Sequence, residues 1–319
     1  MLRSILVAAA ALVVVIMAYV LMARGGLFQL DREQLIAKYA DSESKFAQIR
    51  GIDVHYKDEG QGLPLLLLHG SFGSMRTWDV VVDRLDDDFR LIRIDQPPTA
   101  LSSEIPAGAG DLSLEDFIRL FLDQIGIDRV VLVGTSSGGV IAYRFAAKYP
   151  GRAVALVIAN APSAVVDNAA IATPRALRAM AFLSTRVLKY YPRLYWRLLL
   201  QSLYADSSKV STEVVEQYFN MGRKVRSLPI SPSMYARVND NDEIDEILRS
   251  VTAPTLLLWG VPDPVLPESM AHQLQAKLSS AETELVLMKG TGHYPPLESP
   301  DLVAKQIKQF LRTRPKTSR

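Results

Sequence analysis

The run from Ser4 to Ala23 carries no charged side chain and little polarity, and Arg3 and Arg24 bracket it. Twenty helical residues at about 1.5 Å rise span roughly 30 Å, the thickness of a bilayer core. The pattern predicts a single-pass anchor over residues 4–23, within an N-terminal unit of residues 1–24. Tyr19 lies near one end, where an interfacial aromatic is favourable. A cleaved signal peptide is the competing reading. Its apolar stretch is shorter, roughly 7–15 residues, and small residues stand at −3 and −1 of the cut. Cuts after Ala23 or Ala18 place Leu21 or Ile16 at −3, so a retained anchor is preferred. Orientation signals conflict. Arg24, Arg32 and Lys38 favour a cytoplasmic body, whereas the short N-terminal tail favours a signal-anchor with the body outside. The expectation is a bacterial inner-membrane protein with an extracytoplasmic body.

After a charged, helix-prone connector over residues 25–50, the pattern changes to short apolar runs alternating with helical periods. Ile52 to Tyr56 alternates like an exposed antiparallel strand. Pro64 to Leu68, Phe89 to Ile94, Val130 to Val133, Ala153 to Ala159, Thr255 to Trp259 and Thr283 to Met288 read as strands, most of them continuous runs buried on both faces. Helices are predicted at Thr77–Leu85, Leu114–Gln124, Val140–Lys148, Ser269–Leu278 and Leu302–Leu311. Buried strands alternating with helices imply an α/β fold, a mostly parallel sheet covered on both faces. Residues 162–247 interrupt the alternation with helix formers and no buried-strand run. They predict a helical cap over the C-terminal edge of the sheet, where open α/β sheets bind ligands. The core then comprises residues 51–161 and 248–315.

Composition narrows the function. The chain has 319 residues, 49% of them hydrophobic, and a formal net charge of +2, which excludes whole-chain disorder and a strongly basic nucleic-acid binder. It has no cysteine, so a thiol nucleophile and thiolate-bound metals are excluded. The cap is locally basic between Asn168 and Ala205, with Arg175, Arg178, Arg186, Lys189, Arg193 and Arg197 among tyrosines and no acid. Two readings stay open there: a solvated basic face, and a face resting on anionic lipid.

The chemistry sits at three loops. Gly134-Thr135-Ser136-Ser137-Gly138 follows a strand and opens a helix, the context of a nucleophile elbow. A serine hydroxyl needs a neighbouring base, and histidine has the suitable pKa. Of the four histidines, His293 stands on a late glycine loop after a strand, whereas His55 lies on the edge strand and His272 in a helix. His69 abuts a glycine loop and suits holding it by hydrogen bonds. Asp263, beyond the strand ending at Trp259, can orient the imidazole, with Asp95 and Asp167 as weaker competitors. Oxyanion donors are expected from the amide of Ser137 and from Ser71 or Phe72 in the loop His69-Gly70-Ser71-Phe72-Gly73.

Leu68-His69-Gly70, the Ser136 elbow, Trp259-Gly260-x-x-Asp263 and Gly292-His293 together resemble the α/β-hydrolase superfamily over about Ile52 to Leu311. The resemblance implies Ser136 as nucleophile, Asp263 as acid and His293 as base, in agreement with the residues themselves. The serine at the elbow separates the chain from the haloalkane-dehalogenase and epoxide-hydrolase branches, which use aspartate. The anchor beside Gly-Thr-Ser-x-Gly-Gly is similar to membrane-bound monoacylglycerol lipases. Prolines 97 and 98 depart from the glycine-rich turn of many relatives. The expected activity is hydrolysis of a small-molecule or lipid-like carboxylic ester through an acyl-enzyme, without metal or organic cofactor. The alternatives are a carbon–carbon bond hydrolase of ring-cleavage products with the same triad, and a non-catalytic binding protein of this fold. Nothing in the sequence sets the oligomeric state.

Overall fold

The computed structural model of the chain describes residues 1–85, 87–109, 112–166, 174–224 and 240–312. Helix α1 (Leu2–Arg24) is exposed over most of its length, and Ala23 in its last turn is buried. Among the described residues it is the one helix long and apolar enough to cross a membrane. Helix α2 (Arg32–Tyr39) starts at a capping box: Asp31 accepts from the Gln34 amide, and the Gln34 side chain accepts from the Asp31 amide. Strands β1 (Lys45–Ile49) and β2 (Ile52–Gly60) form a hairpin. Its two turn residues, Arg50 and Gly51, both have positive φ, which matches the twist of paired strands.

The sheet has eight strands in the order β1-β2-β4-β3-β5-β6-β7-β8. Strands β3 (Leu63–Leu68), β4 (Phe89–Ile94), β5 (Val130–Thr135), β6 (Ala153–Ala159), β7 (Thr255–Val261) and β8 (Thr283–Lys289) run parallel, and β1 and β2 join antiparallel. A plain connector over residues 25–50 therefore misses β1. Its five residues, three of them exposed, carry too short an alternation to outweigh the helix signal before them. β1 also covers β2, so Ile52, Val54 and His55 are buried rather than at an exposed edge. The helix expected at Thr77–Leu85 is a 3₁₀ turn, Met75–Trp78, and one α turn, α3 (Asp79–Val82).

Alternation inside the apolar strands divides the core in two. Leu66, Leu68, Leu132, Leu156, Ile158, Leu257 and Trp259 face α4 (Leu114–Gln124), α5 (Ser137–Lys148), α9 (Asn241–Ser250) and α10 (Glu268–Lys277). Leu65, Leu67, Val131, Val133, Val157, Leu256 and Leu258 face Trp78, α3 and α12 (Pro300–Arg312). Ile244 and Leu248 of α9 belong to the first cluster, so the chain rejoins the core there rather than at residue 248. The described cap comprises α6 (Arg175–Leu183), α7 (Arg193–Leu203) and α8 (Thr212–Gly222) around Leu177, Trp196, Leu200, Val215 and Tyr218. Tyr294, just before the short α11 (Pro295–Glu298), packs into the same cluster.

A buried hydrogen-bonded pair ties the antiparallel edge to the parallel sheet. His55 Nδ1 lies 2.7 Å from Asp95 Oδ2, and its Nε2 lies 3.0 Å from Ser44 Oγ. Asp95 also accepts from the amides of Met75 and Leu101. Burial pushes its carboxyl up, but the His55 hydrogen bond and charge and the Met75 amide outweigh this, and the net shift is below the usual value of 3.8. A depressed carboxylate contributes stability that is present above its unfolded pKa and lost as pH falls through the folded one. Asp95→Asn is expected to cost about 1.5–3 kcal/mol at neutral pH, since it takes a buried carboxylate acceptor away from His55 and from the amides of Met75 and Leu101. In urea denaturation the gap between variant and wild type should close as pH falls below about 4.

Candidate active site

The end of β5 and the start of α5 meet in a turn that only glycine permits at two points. A Cβ on Gly134 would lie 2.3 Å from the Gly138 carbonyl oxygen, and one on Gly138 would lie 2.3 Å from that of Leu68. Ser136 between them has φ 53° and ψ −123°, a region that costs a non-glycine residue about 1–3 kcal/mol. Its amide donates to Ala159 O at 2.9 Å, which ties the turn to β6. The strained serine stands at the N-terminus of α5, at the C-terminal edge of the parallel sheet.

The structure brings three of the expected residues into one row. His293 Nε2 lies 3.1 Å from Ser136 Oγ, and His293 Nδ1 lies 2.7 Å from Asp263 Oδ2. The carboxylate can only accept, so Nδ1 carries the proton and the Nε2 lone pair receives the serine O–H. The Asp263 side chain is fully buried and meets further donors. The amides of Val265 and Leu266 donate to Oδ1, and Asn160 Nδ2 donates to Oδ2 at 2.6 Å. Asn160 Oδ1 in turn accepts from the Gly260 amide at 2.9 Å. Asn160 was not among the expected residues. The available signal is a polar residue directly after the apolar run of β6, and asparagine suits its positive φ of 43°.

The two competing acids do not join this row. Asp95 is committed to His55, and Asp167 lies outside the described residues. His272 is exposed, near Glu268. His69 is buried and accepts at Nε2 from the Gln96 amide, so Nδ1 donates to Gly70 O at 2.8 Å. Burial pushes its pKa down and keeps the ring neutral. It holds the loop and has no lone pair left for Ser136. That loop lies against the elbow: a Cβ on Gly70 would come 3.1 Å from Ser136 Cβ. Ser71 Oγ donates to Ser137 Oγ at 3.1 Å, which sets Ser71 beside the residue after Ser136. Phe72 has φ 64°, is half exposed, and turns its ring towards Trp196 of the cap.

The histidine loop is stitched to the cap. The His293 amide donates to Leu203 O at 2.8 Å, and a Cβ on Gly292 would lie 2.4 Å from the same oxygen. Glu298 bridges both sides, with one oxygen accepting from the Gly292 amide and the other from the Ala205 amide, each at 2.9 Å. Burial raises its carboxyl pKa against these two donors. Tyr294 donates to Ser71 O at 3.2 Å, and burial holds its hydroxyl protonated. Glu298 and Tyr294 were also unforeseen, because their partners lie on the cap and on the loop after β3. The arrangement can lend a serine O–H proton to an imidazole, stabilise the resulting cation with a buried carboxylate, and present α5 amides to a developing negative charge.

Comparison with known proteins agrees with this architecture. A hydrolase acting on 2-hydroxy-6-oxononadienedioate and 2-hydroxy-6-oxononatrienedioate in Burkholderia vietnamiensis is 26% identical over 89% of this chain and 98% of its own. The pimeloyl-[acyl-carrier protein] methyl ester esterase of Vibrio vulnificus is 26% identical over 81% of this chain and 98% of its own. The meta-cleavage product hydrolase CumD of Pseudomonas fluorescens shares the fold at TM-score 0.66 and 23% identity, covering 84% of this chain and 97% of that structure. The profile of the alpha/beta hydrolase family matches residues 65–306, and the chain belongs to that family.

Proposed function

We propose that the chain is a serine hydrolase that cleaves a bond next to a carbonyl carbon, held at a membrane by α1. The row from Ser136 through His293 to Asp263 supports this reading most directly. Ser136 Oγ attacks the carbonyl carbon as its proton passes to His293 Nε2. The resulting oxyanion is held by the amides of Ser137 and of the Ser71–Phe72 loop. His293 returns the proton to the leaving group, and an acyl-enzyme remains. Water, deprotonated by His293, then attacks the acyl carbon, releases the carboxylic acid and restores Ser136.

The bond itself separates two readings. Carbon–carbon cleavage takes first place on the comparisons, since the dienedioate hydrolase matches nearly all of both chains. The proton from His293 would then reach a carbon rather than an alkoxide. Ester cleavage is supported by the methyl ester esterase relative and fits an apolar cap beside a membrane. Anchoring itself is supported by the length and exposure of α1.

Steady-state turnover by the full-length chain in detergent separates them. Hydrolysis of a 2-hydroxy-6-oxo-dienoate, followed as loss of its absorbance, is expected to exceed that of p-nitrophenyl esters of every chain length. Ser136→Ala is expected to lower either activity roughly 10⁴-fold or more. Ester turnover alone would move the conclusion to an esterase, and no turnover by the folded wild type would overturn the catalytic reading. Asn160→Ala removes a hydrogen bond to a buried carboxylate, worth about 1.5–3 kcal/mol. The expected result is a fall in kcat of roughly 10–100-fold with KM little changed, read on the same substrate.

A further inference from the structure

A helix that crosses a bilayer fixes the depth of everything packed against it, and the cap is packed against α1. Tyr19, Val20 and Ala23, with Phe28, form one apolar cluster with Val187, Leu188, Tyr190 and Phe219. The hydroxyls of Tyr19 and Tyr190 hydrogen-bond. Arg24 donates to the carbonyls of Arg186 and Val187, Gln29 to that of Lys189, and Arg223 to that of Phe28. The Leu30 amide adds a bond to Arg223 O at 2.9 Å. From Tyr19 to Arg24 is about 7.5 Å along the helix axis at 1.5 Å per residue. Leu188 and Tyr190 therefore sit level with the last turns of α1, at the depth of a membrane interface.

The cap exposes apolar side chains beside this contact. Phe182 is 66% exposed and Leu183 47%, at the end of α6 and directly before the 184–188 turn that meets α1. Leu194, at the start of α7, is 56% exposed. Arg175, Arg178, Arg186, Lys189, Arg193 and Arg197 are exposed on the same segments, and Arg193 also pairs with Glu216. No acidic residue occurs between Arg175 and Ala205. Isolated exposed leucines need no explanation, but apolar tips amid a cluster of exposed cations, next to a membrane-length helix, match an interfacial surface.

We infer that this face of the cap is a bilayer-docking surface, and that its occupant is the anionic-lipid leaflet into which α1 inserts. The inference rests on the anchor reading of α1 given above. Phe182, Leu183 and Leu194 enter the acyl boundary, while the arginines meet lipid phosphates. Helix α7 then joins the membrane face to the site, since it carries Leu194 and also Trp196, whose ring meets Phe72 beside the Ser136 elbow. A substrate dissolved in the leaflet reaches the cap without crossing bulk water.

The cysteine-free chain gives a clean test. Single variants Val13→Cys, Phe182→Cys, Leu183→Cys and Lys305→Cys of the full-length protein are labelled with bimane. Each is reconstituted in vesicles of phosphatidylcholine and phosphatidylglycerol with brominated acyl chains. The labels at 13, 182 and 183 are expected to lose most of their emission, and the label at 305 to keep it. Quenching at 182 and 183 is expected to fall when phosphatidylglycerol is replaced by phosphatidylcholine, with quenching at 13 unchanged. A label at 13 quenched while 182 and 183 behave like 305 overturns docking and leaves the anchor standing. A label at 13 that keeps its emission overturns the anchor reading, and docking with it.

Discussion

Backbone passes over backbone at the end of β5 so closely that no side-chain carbon fits at Gly134 or Gly138. This approach lets Ser136 sit in a strained conformation between a strand and a helix, with the strain held by neighbours on three strands. Leu68 O closes the turn from β3, Ala159 O holds the serine amide from β6, and the apolar strands around β5 anchor both. The parallel sheet supplies the rigidity, because its central strands β3, β5, β6 and β7 are largely buried on both faces. Every other part of the site is positioned relative to that fixed point.

The remaining parts come from the loops after β3, β6, β7 and β8, and each loop is fixed by a different device. A neutral buried histidine, His69, holds the first. Asn160 closes the second by bonding both Gly260 and Asp263. Asp263 folds its own turn by accepting from Val265 and Leu266. Glu298 locks the His293 loop to Ala205 at the end of α7. The cap is thus bound to the site by hydrogen bonds as well as by the aromatic contacts of Trp196, Tyr218 and Tyr294. In the other direction the cap binds α1, so the N-terminal helix and the His293 loop are joined through one small helical layer.

Much of this was legible in the sequence, for physical reasons that differ by element. Strands such as Leu65–Leu68 and Leu256–Trp259 are continuous apolar runs because both faces are covered, and that signal is strong. Ser136 and His293 stood out because glycines flank them and histidines are few. What stayed hidden depends on contacts distant in sequence. β1 is short and half exposed, so only its pairing with β2 makes it a strand. The buried His55–Asp95 pair joins residues 40 apart, and nothing local marks either as buried. Asn160 and Glu298 look like ordinary polar residues at element ends until Asp263 and Ala205 are placed beside them.

The central claim is that Ser136 is a nucleophile activated by His293. Mass spectrometry of the intact full-length chain after reaction with a fluorophosphonate tests it most directly, with the adduct located by peptide mapping. The expected result is one adduct per chain, on Ser136, formed far more slowly in His293→Ala and absent in Ser136→Ala. An adduct on any other residue, or none on the folded wild type, would contradict it.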